Sequence, residues 1–439
     1  MNDTAQALDR TLRIVRNLIG MAWSDGQILD ALLTTNVALV ADGRNLSTVS
    51  GQACLTTLFG LLAAYGCNIK LSMPPVPIVG HQPPLRGRDL LDALLDLGCD
   101  VIPGVAAKAR TKTTDDDLVF ILGDTSWCGA ARMAWRVAGT SWSGSTQPPD
   151  TSVNSWQTSI PVGALTAAAI ASAEPFKDAL RHLARTRTGT SPVWTLEAVQ
   201  SASVDFDELA VSKIIDIGAI DFISGGAITN ASLHALLRIP GARGVARVIE
   251  PESIELSNLN RYALVRRSDL HRTKLEAIQR QSSPEFGITA RREAVSAETI
   301  QGIRPLAPLV AMGVDNLPSR WLVQGEWPAW LSVGATAVFL AMSSEHRATT
   351  GCAGCLHDRD DGVNVPIPTV SFVSYWAGLM LAVRILRQAL GMSEWHDRKA
   401  LMVYPLRLDS QSAVLWRPVP PNSNCPVECG KTAFKSDLA

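Results

Sequence analysis

The densest chemistry in this chain lies between Glu250 and Tyr262. There EPESIELSNLNRY follows the apolar run GVARVI directly. The thirteen residues carry three acids, two asparagines and one arginine. Further on stand Lys274, in DLHRTKLEA, and the pair Asp315-Asn316, in GVDNLPSRW. In an open parallel sheet, ligands sit beyond the strand ends, where polar groups of this kind gather. Glu250 lies 26 residues after Ser224, about where a ribose-binding acid follows a phosphate-binding turn. That turn would be SGGAITNA, Ser224–Ala231, which opens a helix and offers the backbone at Gly225 and Gly226. As a fingerprint it is poor. A Gly-x-Gly-x-x-Gly pattern wants glycine at Ser224 and Thr229, and side chains there could crowd the phosphates.

A second constellation is built from thiols. CAGC supplies Cys352 and Cys355, and NCPVEC supplies Cys425 and Cys429. Two close pairs far apart in sequence suit a tetrahedral structural zinc with four thiolates, which would staple the C-terminal tail to the loop before a long helix. Free buried thiols and disulfides are the rival readings.

Elements must bring these groups together. The second half reads as a strand over KIIDIGAIDFIS (Lys213–Ser224), a helix over ASLHALLRI, a strand over PLVAMGVDN (Pro308–Asn316), and a long apolar helix over Pro368–Leu390. The first half has the same rhythm. VALVADG (Val37–Gly43) and LVFILGD (Leu118–Asp124) read as buried strands, GQACLTTLFGLLAAYG as a helix between them, and Pro161–Leu180 as one long apolar helix. Apolar runs alternating with helical patterns predict an α/β chain with a parallel, doubly covered sheet in each half. Ligands then sit beyond the carboxyl ends of the strands, where the acids and cations of the second half fall. Ser/Thr/Pro-rich stretches at Gly139–Ser159 and Arg185–Ser203 punctuate the chain, and the second reads as a linker.

The order glycine-bearing turn, acid-x-acid, Ser-Asn-Leu-x-Arg, lysine in a following helix, then Asp-Asn before an arginine resembles the ThiF superfamily, the adenylating enzymes of the ubiquitin-activating type. The resemblance is specific over Lys213–Leu390 and only architectural before it. It implies two Rossmann-like parallel-sheet domains in tandem, a pseudo-dimer, the second with a structural zinc site. Residues 1–184 would be an inactive pseudo-adenylation domain, 185–206 a linker, and 207–439 the active domain with the zinc site and crossover loop. The implied chemistry is attack of a substrate carboxylate on the α-phosphate of ATP. That step needs charge stabilisation rather than a base, because a carboxylate is already ionised. Carried over residue by residue, Arg261 and Lys274 bind phosphates, Asp315 holds Mg²⁺, Glu250 binds the ribose, and Asn258 and Asn316 add neutral hydrogen bonds around the nucleotide. Glu252 would orient its loop. The zinc ligands would be Cys352, Cys355, Cys425 and Cys429.

Members of this family pair two copies, and the partner donates an arginine to ATP. The N-terminal segment LDRTLRIVRNLIG places Arg10, Arg13 and Arg16 at i, i+3, i+6 above an apolar stripe of Leu8, Leu12, Val15 and Ile19. One of the three could be that arginine, although the pattern by itself reads as a solvated helix face. The family's loop cysteine has no counterpart, because LHDRDDGVNVPIPTVSF (Leu356–Phe372) contains no cysteine. Of the remaining thiols, Cys67 and Cys99 sit in apolar contexts and read as core, while Cys128 falls near a strand-end loop. Three routes stay open: release of the acyl-adenylate to a partner, an ester on a hydroxyl such as Thr369 or Ser371, or attack by the partner's own cysteine.

Size and charge bound the rest. The chain has 439 residues, enough for two or three domains. Forty Lys+Arg balance 41 Asp+Glu with no long basic run, which argues against a nucleic-acid partner. The polar N-terminus is no signal peptide, and Pro366–Val383 with its flanking Arg384 reads as a buried helix rather than a membrane span. Sparse, paired cysteines suit a reducing, cytoplasmic setting. The expected partners are the C-terminal tail of a ubiquitin-like protein or peptide, a ubiquitin-conjugating-enzyme-like protein and a second copy of the chain, within a bacterial-style conjugation pathway. The alternatives are a pseudoenzyme that binds such a tail without activating it and, more weakly, a nicotinamide-dependent oxidoreductase.

Overall fold

Fifteen strands form two sheets in a computed structural model of the chain, which describes residues 3–19, 23–109, 112–188, 196–207, 214–346, 351–358, 367–392, 399–410 and 413–429. The first sheet contains β1 (Asn36–Val40), β2 (Asn68–Ser72), β3 (Ala107–Ala109), β4 (Leu118–Leu122), β5 (Met133–Gly139), β6 (Ser143–Gln147) and β7 (Ala202–Asp205) in the order β3-β2-β1-β4-β5-β6-β7. The second contains β8 (Ile215–Ile223), β9 (Ala242–Ile249), β10 (Phe286–Arg291), β11 (Leu309–Met312), β12 (Trp330–Ala337), β13 (Leu340–His346), β14 (Lys399–Val403) and β15 (Val414–Pro418) in the order β10-β9-β8-β11-β12-β13-β14-β15.

Each sheet has five parallel strands in the doubly wound order 3-2-1-4-5, followed by an antiparallel extension of two or three strands. The repeated rhythm read from sequence is therefore a repeated topology. In both sheets the strand order reverses beside the first strand, and that reversal opens a crevice at the carboxyl ends.

Three expectations are revised. The predicted helix Pro161–Leu180 is two helices, Val162–Ala171 and Ala173–Thr188, broken at Ser172. Pro175 sits in the first turn of the second, where its missing N–H costs nothing. The Ser/Thr/Pro-rich stretch 139–159 contributes β6, because alternating small residues pair edge-on with β5. Within the stretch read as a linker, residues 189–195 lie outside the described residues, and Ala202–Asp205 is the edge strand of the first sheet. Lys213 also lies outside the described residues.

The long helix Ser371–Ala389 is buried over most of its length and packs on the helix Ala227–Leu236. Gly378 makes that approach close: a Cβ there would stand 2.4 Å from both the Ile228 carbonyl oxygen and the Ala231 Cβ. No helix among the described residues is long and apolar enough to cross a membrane.

One core joins the halves. Tyr65 and Phe176 of the first half cluster with Phe339 and Phe372 of the second, at ring separations of 5.4–6.2 Å. Buried cations tie the halves further. Arg238 donates to Gln82 Oε1 (3.0 Å), Arg266 to the Pro84 carbonyl (2.9 Å) and Asp96 (2.6 Å), and Lys177 to the Leu406 carbonyl (3.1 Å). In the first sheet the short helix Gly43–Leu46 follows β1, and its Asn45 bridges the ends of β1 and β4. The buried Asn45 donates through Nδ2 to Asp42 (2.9 Å), Asp124 (3.0 Å) and Thr125 (3.2 Å), and its Oδ1 accepts from Trp156 N (3.0 Å).

Candidate active site

The matching crevice of the second sheet is open. It is a cleft of about 1210 Å³, above the roughly 300–1,000 Å³ of an ordinary small-molecule site. Its floor is the β8 turn. Ser224 has φ +84°, so the serine adopts the left-handed backbone that glycine would take there. Its Oγ stabilises the turn by accepting from Gly226 N (3.0 Å). Thr229 does not crowd the cleft, for it is fully buried and its N and Oγ1 lie where a Cβ on Gly313 would meet them. Gly226 lines the cleft. Gly225 lies beneath it, where a Cβ would approach Glu250 Cγ at 3.1 Å.

Glu250, at the end of β9, is buried and organises the turn. Its Oε2 accepts from Gly225 N (2.7 Å) and Ser224 Oγ (3.3 Å), and its Oε1 from Glu252 N (3.0 Å). A carboxylate has about four acceptor positions, so capacity for a ligand remains. Glu252 is exposed and pairs with Lys274 Nζ, which also lies 3.6 Å from Glu250. Burial works against the charge on Lys274, but Tyr262, Glu250 and Glu252 outweigh it and hold the ammonium above its ordinary range.

SNLNR forms a single 3₁₀ turn (Leu256–Asn258) and its exit. Asn258 Oδ1 accepts from Glu255 N (2.9 Å), which closes the turn. Arg261 is tethered through Nη1 to the Ser257 carbonyl and to Asn260 Oδ1 (2.7 Å). Asn260 in turn bonds Thr11 of the first half (2.9 Å). Tyr262 is a site residue that motif reasoning missed. Its ring has the Arg261 guanidinium at 5.4 Å and the Lys274 ammonium at 5.6 Å, and all three line the cleft. The spacing of two cations about one ring is set by the fold and leaves no sequence signal.

Asp315 is exposed at the end of β11 and lines the cleft. Its carboxylate accepts no hydrogen bond among the described residues, which suits a hard-cation ligand. Its field reaches three arginines, Arg10, Arg261 and Arg320, and opposes the lowering that burial imposes on each. Asn316 borders the cleft, but its Oδ1 caps the helix Leu317–Gly325 through Ser319 N (2.8 Å).

The first half supplies one arginine to this cleft. Arg10 lines it and donates to the Ile367 carbonyl (3.2 Å). Arg13 pairs with Asp9 (3.0 Å) and Arg16 with Asp25, and neither lines the cleft. The solvated-face reading therefore holds for Arg13 and Arg16, while helix phase turns Arg10 toward the second half.

The four thiols of Cys352, Cys355, Cys425 and Cys429 converge, with all Sγ atoms within 4.8 Å of one another. Closest separations are 3.3 Å for Cys352–Cys425 and Cys355–Cys429, and 3.8 Å for Cys352–Cys355. Tetrahedral thiolates about 2.3 Å from a zinc ion stand about 3.8 Å apart, so this donor set fits zinc. Pro426 and Val427, between the last two cysteines, line the cleft.

Comparison with known proteins then places both halves. The model of the ThiF family matches residues 232–427, and the model of the BilD N-terminal domain matches residues 36–191. Residues 232–427 are a ThiF-family domain. An uncharacterized protein, y4jF of Sinorhizobium fredii, is 27% identical over 154 residues, 34% of this chain and 30% of its own length. The chain thus spans under a third of that relative. Among solved structures, E. coli MccB with ATP is 16% identical, covers 48% of this chain and 66% of its own, and has a TM-score of 0.40. MccB with AMPCPP and MccA gives the same identity and coverage at 0.41, and PaaA gives 11% identity, 46% and 73% coverage, and 0.37.

The ThiF-family domain carries every downstream polar group read from sequence: Glu250, Asn258, Arg261, Lys274, Asp315 and Asn316 all border one cleft. Among the described residues no thiol lines it. Residues 359–366 of the expected nucleophile loop lie outside the described residues. Ser371 is buried and donates to the Leu61 carbonyl (2.8 Å), so it is a strut between the halves. Thr369 lines the cleft and shares a 3.0 Å hydrogen bond with Ser374 Oγ. Cys67 is buried as expected. Cys99 is exposed at the end of its helix, which corrects its core reading: the apolar residues around it face inward from other sides of the helix. Cys128 is exposed and does not line the cleft.

Proposed function

We propose that this chain uses ATP to adenylate the C-terminal carboxylate of a ubiquitin-like protein or peptide, within a bacterial ubiquitin-like conjugation pathway. One observation carries the reading. Arg10, Arg261, Lys274 and Asp315 come from four separate elements of both halves, yet all line one cleft above the Gly226 turn. The substrate carboxylate attacks the α-phosphorus, the bond to the β-phosphate oxygen breaks, and pyrophosphate leaves. The negative charge spreads over the phosphoryl oxygens, where Arg10, Arg261 and Lys274 stabilise it. Asp315 would hold Mg²⁺, which neutralises phosphate charge when bound. The remaining acceptor position of Glu250 takes a ribose hydroxyl, and Asn258 adds a neutral contact.

In this reading the first half is the inactive member of a fused pair, the ends of its β1 and β4 tied together by Asn45 and its role reduced to donating Arg10. The cysteine cluster would hold structural zinc. The acyl-adenylate then passes to a nucleophile on a partner protein or to a hydroxyl such as Thr369, which lines the cleft. The test is ATP–pyrophosphate exchange with ubiquitin-like proteins encoded beside this chain's gene. Substrate-dependent exchange, abolished by Asp315→Ala and by Arg261→Ala, is the expected result. Tight tail binding indifferent to ATP would instead make the chain a pseudoenzyme.

A further inference from the structure

Among the described residues, Arg320 is the one arginine in the field of Asp315 that does not line the cleft. It is 5% exposed, so its guanidinium needs partners inside the protein. It has two. Nε donates to the carbonyl of Val314 (2.7 Å), the residue before Asp315, and Nη1 meets Nε2 of His357 (2.9 Å). Arginine can only donate, so the facing histidine nitrogen must accept, and the His357 ring is neutral with its proton on Nδ1.

His357 is held by the cysteine turn. Its N donates to the Ala353 carbonyl (3.0 Å), and Leu356 N to the Cys352 carbonyl (3.3 Å). The turn is also bonded to the helix that follows Asp315. Ala353 N donates to Gln324 Oε1 (2.9 Å), and Trp321 Nε1 to the His357 carbonyl (2.7 Å). Arg320, Trp321 and Gln324 therefore carry three bonds from one helix to one short thiol-bearing turn. The loop bearing Asp315 has few other anchors. Gly313 N bonds the Ile223 carbonyl (3.1 Å) on one side, and the Asn316 cap lies on the other.

We propose that His357 is a positioning residue for Asp315, acting through Arg320, so that the four-cysteine site and the Mg²⁺·ATP site are mechanically coupled. The chain runs from Cys352 and Cys355 to His357, then Arg320, then the Val314 carbonyl, and sets where the Asp315 carboxylate stands. The inference rests on the reading of Asp315 as the Mg²⁺ ligand. It assigns the cysteine turn a second task besides stapling the tail.

The test compares wild type, His357→Phe and His357→Gln for Mg²⁺-dependent ATP binding by calorimetry, with zinc content and melting temperature measured on the same samples. Phenylalanine fills the space without an acceptor, and glutamine restores one. Loss of a partner bonded directly to a metal ligand costs affinity about 10–100-fold, and His357 stands further out, behind Arg320. His357→Phe should therefore raise the Mg²⁺ concentration needed for ATP binding by up to about 10-fold while zinc content stays at the wild-type value, and His357→Gln should recover most of it. An unchanged Mg²⁺ dependence in His357→Phe overturns the proposal. So does an equal loss in both variants, because that is a packing effect. If His357→Phe does not fold, Arg320→Lys decides. It keeps the charge but loses the two-pronged contact, and a wild-type Mg²⁺ dependence there overturns the proposal. Absence of ATP binding by the wild type would instead fell the functional reading itself.

Discussion

Three arginines on the helix Asp9–Ile19 differ only in phase, and the consequence is measurable. Arg10 faces the cleft, and removing one charged donor from a transition-state site costs about 10²–10³-fold in rate. Arg10→Ala should lower the rate of substrate-dependent exchange on that scale. Arg13→Ala breaks only a partly exposed pair with Asp9, worth under about 1 kcal/mol, and should leave exchange unchanged. Equal losses in both variants would mean the helix matters only as packing. Gly225 offers a second check. A Cβ there meets Glu250 Cγ at 3.1 Å, so Gly225→Ala must shift the carboxylate that organises the turn. ATP affinity should weaken, as read by calorimetry.

Elements carry the next set of consequences. The helices Ser371–Ala389 and Ala227–Leu236 touch at Gly378, where a methyl group would meet backbone at 2.4 Å. Overpacking of this kind costs about 1–3 kcal/mol, so Gly378→Ala should lower the urea midpoint of unfolding without changing its slope. The cysteine turn makes a separate forecast. Cys425→Ser removes one of four converging thiols, and zinc measured by mass spectrometry should fall from one per chain toward none. A wild-type zinc content in that variant would mean that the metal lies elsewhere.

At the scale of the whole molecule, buried histidines make stability depend on pH. His234 is fully buried at the junction of the halves, bonded to Tyr375 (3.1 Å), and burial together with Arg238 drives its pKa well below 6.5. Burial likewise pushes His346 down to about 4. The unfolded chain takes up these protons near pH 6.5 and the folded chain does not. Stability is therefore full above that value and falls as pH drops below it, by up to about 1.4 kcal/mol per pH unit for each histidine. Urea unfolding from about pH 7.5 to about pH 5 should show this fall, and His234→Gln should flatten part of it.

What sequence determined by itself was local or periodic. The apolar runs of β1, β4, β8 and β11 announced buried parallel strands, and their repetition announced two like sheets. The groups from Glu250 to Asp315 were legible because each sits at a strand end, in a short turn or at a helix start, where residue type and spacing encode the geometry. Tertiary structure decided the rest. It separated Arg10 from Arg13 and Arg16, which are equivalent along the chain until a second surface packs against one of them. It put Tyr262 between two cations, allowed Ser224 to stand in for glycine by taking its backbone conformation, and turned Cys99 outward. It also set His357 behind Arg320 across a gap of 37 residues in sequence. Periodicity records which way a side chain leaves its own element. What it meets there depends on elements far away in the chain, and only packing brings those into reach.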